Sequence, residues 1–352
     1  MRFISSSRAF FILALAIMAF PACTAGVAPT VIPSLSSTAT PAPLDTVFLA
    51  SDAWSSKPTT VFELFSVGTP GSQPTRLTTC AGCQALGASP SLDRNRVALR
   101  RVVGDSNRDG RLDELDRVSL LLVNLARQIE GPFLPDGWTT SGVDWSADGT
   151  FLVHTSSPDG DPEGLYTIDA NATNNQLIIF DANVRLLGAR INPSMTRAAY
   201  ERIASTGPGK SEIWIGNSQV SQTKVTDGGP VGELLPNSLY LVGSDSGPDY
   251  SPDGNNLAFR RLTSASVPGG AWDILTVPIA GGTPTVVASG PVFRSVPDWS
   301  KEGIVFAESN PATGGTDIVV IDPATNARKV LQSFASGYKA IAPRWIAGVT
   351  GG

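Results

Sequence analysis

The sequence predicts an all-β protein, a six-bladed β-propeller of four-stranded blades whose ring is closed by pairing strands from the two ends of the chain. Three observations carry this. A turn-and-strand unit recurs at blade-like spacing, the composition favours turns over helices, and a part-unit at the C-terminus matches what is missing from the first blade.

The unit is clearest at residues 248–260, PDYSPDGNNLAFR. Ser-Pro-Asp-Gly after an aromatic makes a tight turn, because Pro presets φ and Gly accepts the positive φ that the reversal needs. The residues after it read as a short strand. Weaker copies are VDWSADGTFLVH from Val143, PDWSKEGIVFAE from Pro297, SPSLDRNRVALR from Ser89 and NPSMTRAAYERI from Asn192. With Ser91, Ser146, Ser194, Ser251 and Ser300 as register marks, the intervals are 55, 48, 57 and 49 residues. Periods in this range point to propeller blades. A partial sixth copy, APRW, ends at Trp345, and residues 46–51, 61–67 and 75–78 read as the three strands it lacks.

Composition agrees. Charged residues are 16% of the 352, while Gly and Pro number 35 and 27. Such a chain disfavours long helices and suits many short strands joined by turns. The net charge of -5 gives no electrostatic case for nucleic acid as a partner. A monomer is expected.

The N-terminus (1–22) reads as an export signal, with Arg2 and Arg8 ahead of a 12-residue apolar run, 9–20, that is short for a membrane span. The run ends in Ala19-Phe20-Pro21-Ala22-Cys23, which resembles a bacterial lipoprotein cleavage box with Cys23 as the lipidated residue. Residues 23–44, rich in Ser, Thr, Pro and Ala, read as a flexible tether. The expected location is therefore outside the cytoplasm, anchored to the outer face of the cytoplasmic membrane or to the outer membrane. Ordinary signal cleavage ahead of a disordered tail is the alternative.

The propeller (45–349) has three further features. Cys80 and Cys83 are expected to close a small disulfide turn in an exported chain, against free or redox thiols; zinc lacks further ligands, since His154 is the one histidine. Residues 105–116 match a calcium loop, with Asp105, Asn107 and Asp109 giving side-chain oxygens, Arg111 its carbonyl, Asp113 a direct or water-bridged oxygen and Asp116 the closing carboxylate. Gly110 supplies the sharp turn. Four Asp and Glu114 within the loop repel one another, and a structural Ca2+ would relieve this; a solvated acidic turn is the alternative. The loop is placed in a blade hairpin, on one face with the hairpin loops near Pro158, at 264–271 and at 310–316. His154 aligns with Phe259, so a packed side chain is expected there rather than a catalytic base. The stretch 206–211, TGPGKS, lacks the spacing and the following helix of a phosphate loop. Residues 228–242 form the longest irregular connection, placed over one mouth of the ring.

These repeats resemble those of TolB-type six-bladed β-propellers, whose blades carry a W-S-P-D-G turn, an I-A-F strand and a D-I-Y-V strand. The matching third strands here are Asp273-Ile-Leu-Thr, Asp317-Ile-Val-Val, Glu212-Ile-Trp-Ile and Gly164-Leu-Tyr-Thr. The resemblance covers residues 45–346 and implies a fold more than an activity. TolB itself has an α/β domain ahead of its propeller, for which the 44 residues here leave little room.

No catalytic set assembles. There is no Gly-x-Ser-x-Gly elbow or second histidine, and no carboxylate pair stands out. The expected function is a non-catalytic binding or scaffold module for a protein, peptide or glycan. A propeller glycosidase or polysaccharide lyase, and a subunit of an envelope assembly or sensory complex, are the alternatives. Asp93, Asp148, Asp253 and Glu302 recur in the turns and are expected to serve turn hydrogen bonding.

Overall fold

A computed structural model of the chain describes residues 47–51, 62–67, 74–78, 83–91, 95–102, 104–110, 112, 116–124, 129–158, 163–336 and 340–345. The signal segment with Cys23, the tether, Cys80, Arg111 and Asp113 lie outside the described residues. The description below concerns the compact unit that runs from Pro43 to Gly352.

The architecture is an all-β propeller with four-stranded antiparallel blades. Five of the sheets are each built from four strands consecutive in sequence. Their innermost strands are Gln84–Pro90, Thr139–Trp145, Val184–Ile191, Asp245–Tyr250 and Asp298–Ser300. A further sheet joins the two ends: Ala340–Trp345 lies beside Val47–Ser51, followed by Glu63–Val67 and Thr75–Arg76. Its register pairs Val47 with Trp345 and Phe48 with Arg344.

Core packing follows from period-2 alternation in the middle strands of each blade, whose apolar faces meet those of the next. Leu257 and Phe259 of one sheet pack with Ala199, Ile213 and Ile215 of the preceding one. Ala258 and Ile274, on the opposite face, pack with Ile304, Phe306 and Val319 of the following one.

The turns after the innermost strands explain the repeat. In three of them a Ser hydroxyl accepts the N–H five residues on: Ser91 from Arg96 at 3.2 Å, Ser146 from Phe151 at 3.1 Å and Ser251 from Asn256 at 2.9 Å. Three of the turn acids serve the same motif, and Asp93 lies outside the described residues. Asp148 accepts from the Ser146 hydroxyl at 2.7 Å, Asp253 from Ser251 at 2.5 Å and Glu302 from Ser300 at 2.7 Å.

One register mark is corrected. In the Val184–Ile191 sheet the equivalent of the turn serine is Asn192, two residues before Ser194. The N–H of Asn192 bonds Arg197 O at 3.0 Å, as the N–H of Ser146 bonds Phe151 O at 2.9 Å. The Asn192 side-chain oxygen accepts the Arg197 N–H at 2.9 Å and so does the work of the serine. Three residues on, where Gly149 and Gly254 sit at φ +71°, Met195 is held at φ +58°.

Candidate functional site

Two residues before each turn, every innermost strand places one side chain on the propeller axis: Ser89, Asp144, Arg190, Asp249, Asp298 and Arg344. Their strand partners are equivalent, namely Ala98, Val153, Ala199, Ala258, Val305 and Phe48. Four of these side chains accept the backbone N–H of the next sheet, one residue beyond its own axial position. Ser89 accepts from Trp145 at 3.3 Å, Asp144 from Ile191 at 3.1 Å, Asp249 from Trp299 at 2.5 Å and Asp298 from Trp345 at 2.7 Å. Arg344 can only donate, and the corresponding residue in the next sheet is Pro90, which has no N–H to satisfy.

Charge balance holds this buried layer together. Arg344 donates through Nη2 to Asp144 at 2.6 Å, and its Nε stands 2.6 Å from Asp298 Oδ1 as an ion pair. Arg190 Nε stands 3.6 Å from Asp249 Oδ1. Burial opposes the Arg344 charge, but Asp298, Asp144 and Asp249 more than offset it and raise the guanidinium's affinity for its proton. Burial lowers Arg190, with the nearby Arg344 charge adding to it, against the pull of the three carboxylates. Burial raises Asp298, whereas Arg344 and the Trp345 N–H pull it down. Because Arg344 reaches carboxylates on two other sheets, its guanidinium blocks the axis.

Above this floor lies a cavity of about 560 Å³. It is lined by the N-terminal halves of innermost strands, by Asp116 and Arg117 after the 105–116 loop, by Glu163 and by residues 237–240. It therefore opens on the face of the second-to-third-strand hairpins. The connection 228–242 reaches it as a small hairpin, bridged between Leu234 and Leu241, with Tyr240 facing the cavity.

Just above the floor, a layer of small residues narrows the axis: Gly87, Gly142, Gly188, Gly247 and Ala342 in five innermost strands, and Val296 two residues ahead of Asp298–Ser300. A Cβ on Gly142 would lie 2.4 Å from the Ala189 amide nitrogen, so adjacent strands approach to backbone contact there.

The cavity wall is rich in arginine. Arg100, Arg117, Arg185, Arg190, Arg260 and Arg344 line it, against Asp116, Glu163 and Glu201. Arg185 is clasped by Glu163, with Nε donating to Oε2 at 2.5 Å and Nη2 to Oε1. Arg260 lies 3.9 Å from the Trp272 ring centre and donates to Arg294 O at 3.1 Å. Glu201 accepts the Gly247 N–H at 2.8 Å and the hydroxyls of Tyr240 at 2.8 Å and Ser246 at 3.1 Å. Burial raises its pKa against those donors. Among the described lining residues the aromatics are Tyr240 and Phe293.

In the 105–116 loop, Asp105 accepts the N–H of Asp109 at 3.1 Å and of Gly110 at 2.8 Å, and Asn107 Oδ1 accepts the Asp109 N–H at 3.0 Å. Gly110 is at φ +84°. These three oxygen-bearing side chains cluster at the head of the loop. Asp116 Oδ1 is turned to the Ser106 and Asn107 N–H groups, at 2.6 and 3.2 Å. Among the described residues no group of three His, Cys, Asp or Glu side chains is placed to hold a metal; Asn107 is a partner of another kind, and Asp113 lies outside them. Cys83 is buried and disulfide-bonded, immediately ahead of Gln84–Pro90.

His154 is fully buried and stacks on Tyr166 at 5.3 Å, with its ring nitrogens 2.8 Å from Ser156 Oγ and 3.0 Å from Asn175 Oδ1. Desolvation takes its pKa down to about 4, with the Asn175 bond opposing. It is a packing residue, away from the cavity.

No family model and no curated protein matches the chain. Solved structures do. TolB from Acinetobacter baumannii superposes with a TM-score of 0.61 at 15% identity, covering 86% of this chain. The chain spans 66% of that TolB's length. A putative TolB from Agrobacterium tumefaciens gives 0.55 at 16% identity, covering 78% of this chain and 94% of the other. A chain of a nidogen/laminin complex gives 0.59 at 9% identity, covering 86% and 98%. At these identities the likeness is one of fold, and the chain has the TolB-type β-propeller fold.

Proposed function

We propose that this protein is an exported, membrane-tethered binding module whose axial cavity receives an anionic segment of a partner protein. The observation that carries this reading is the cavity wall above the floor, where among the described residues Arg100, Arg117, Arg185 and Arg260 face Asp116, Glu163 and Glu201. Two aromatics offer little surface for the stacking that neutral sugars use, whereas guanidinium groups suit carboxylates. The floor is blocked by Arg344, so the cavity is a receptacle rather than a pore. In this reading the sheets close one six-bladed ring through the pairing of the C-terminal strand with Val47–Ser51. Lipidation at Cys23, a Cys80–Cys83 disulfide and calcium at 105–116 belong to the same proposal. Asp105, Asn107 and Asp109 would hold the cation and so order the loop that ends at Asp116 beside the cavity.

The test is fluorescence anisotropy with labelled hexaglutamate, hexalysine and a neutral hexasaccharide, at low and moderate salt. The acidic peptide is expected to bind alone, more weakly as salt rises, and about tenfold more weakly to Arg100→Ala plus Arg260→Ala. Equal binding of acidic and basic peptides, or no effect of the double substitution, would sink the reading.

A further inference from the structure

The axial layer has a charge imbalance. Three carboxylates, Asp144, Asp249 and Asp298, meet two guanidinium groups, Arg190 and Arg344, in positions that are almost entirely enclosed. Burying an unbalanced charge is costly, and a protein relieves that cost by pairing or neutralising it. The pairing is uneven. Asp144 and Asp298 each hold Arg344 at 2.6 Å, while the nearest guanidinium atom to Asp249 is Arg190 Nε at 3.6 Å. Asp249 is thus the carboxylate left over.

We propose that the axial layer is a buried proton-binding site, in which one proton held on Asp249 balances the third carboxylate. The charged groups around Asp249 are Arg190 and Asp298 on the innermost strands either side of its own, and Asp144 and Arg344 from further round the layer; Ser89 completes the layer and is neutral. Burial first, and then the Asp298 charge, raise the affinity of Asp249 for a proton, against the pull of Arg344 and Arg190. Its bond from the Trp299 N–H is compatible with either form, since a protonated carboxyl keeps an acceptor oxygen. The proton ties the layer's integrity to pH. A carboxyl that is protonated in the folded chain and ionised in the unfolded one stabilises less and less as pH rises between its unfolded and folded values.

The experiment compares thermal melts of the parent with Asp249→Asn and Asp249→Ser from pH 5 to pH 9. Asparagine mimics the protonated acid. Serine already fills the same position at Ser89, where it accepts the next sheet's N–H. Relative to either variant, the parent midpoint is expected to fall by several degrees from pH 5 to pH 9. Glu201, Asp245 and Asp273 titrate alike in all three and cancel. Parallel curves would overturn the proposal. Should both variants fail to fold, carboxyl-carbon NMR of the aspartate-labelled parent decides: the assigned Asp249 carboxyl titrating above pH 6 supports it, and Asp249 already ionised at pH 6 overturns it.

Discussion

Arg344 and Asp144 are 200 residues apart in sequence and 2.6 Å apart in the fold. Their contact ties the last described strand to a sheet that is not its neighbour. Replacing Arg344 by Met leaves three buried carboxylates with one guanidinium. Breaking a buried pair in this way costs about 3–5 kcal/mol, and chemical denaturation of Arg344→Met should show a loss of that size. A loss under about 1 kcal/mol, the scale of an exposed pair, would mean the layer is not dry.

His154 sets an acid limit on stability. Its folded pKa of about 4 lies below the ordinary value of 6.5, so the unfolded chain takes up a proton first as pH falls. Stability should therefore drop progressively from about pH 6.5 down to about pH 4, by a total on the order of 3 kcal/mol from this group. In His154→Phe, which copies the equivalent Phe259, that part of the slope should vanish. An unchanged slope would place the acid sensitivity elsewhere.

Met195 occupies the turn position that Gly149 and Gly254 fill in other blades. A side chain at φ +58° costs about 1 kcal/mol relative to glycine. Met195→Gly should raise the melting midpoint by a few degrees, a change that differential scanning calorimetry resolves. A lowered midpoint would show that Met195 packing outweighs the backbone strain.

Calcium can be tested without knowing the partner. With the ion in excess over EGTA the midpoint should rise by mass action, and the rise should disappear in Asp105→Ala plus Asp109→Ala. No response in the parent would leave the 105–116 loop as an acidic turn.

The fold was legible because its signal is local and repeated. Ser-Pro-Asp-Gly at 251–254 spells out a turn whose serine and aspartate bonds recur, and five imperfect copies reinforce one another. The degenerate copy misled by two residues for a physical reason: Asn192 performs the serine's hydrogen bonding, and Ser194 only resembles it. The site was not legible. Asp144, Arg190, Asp249, Asp298 and Arg344 come from five sheets, and nothing in their local sequence marks them as partners. Even so, one residue always lies two positions before the turn, and aligning the copies on that position would have exposed the charges. Arg100 and Arg260 share a position on the second strands, and their convergence on one cavity needed the ring geometry.

In the proposed ring the two chain ends build one closed body. The direct test is the thermal melt of a chain ending at residue 339 beside the full chain. Losing Ala340–Trp345 removes the partner of Val47–Ser51 and, with Arg344, the cation that spans Asp144 and Asp298. The shortened chain is expected to melt well below the full one, or to lose its cooperative transition. A shortened chain that melts like its parent would contradict the closed ring and the axial layer together.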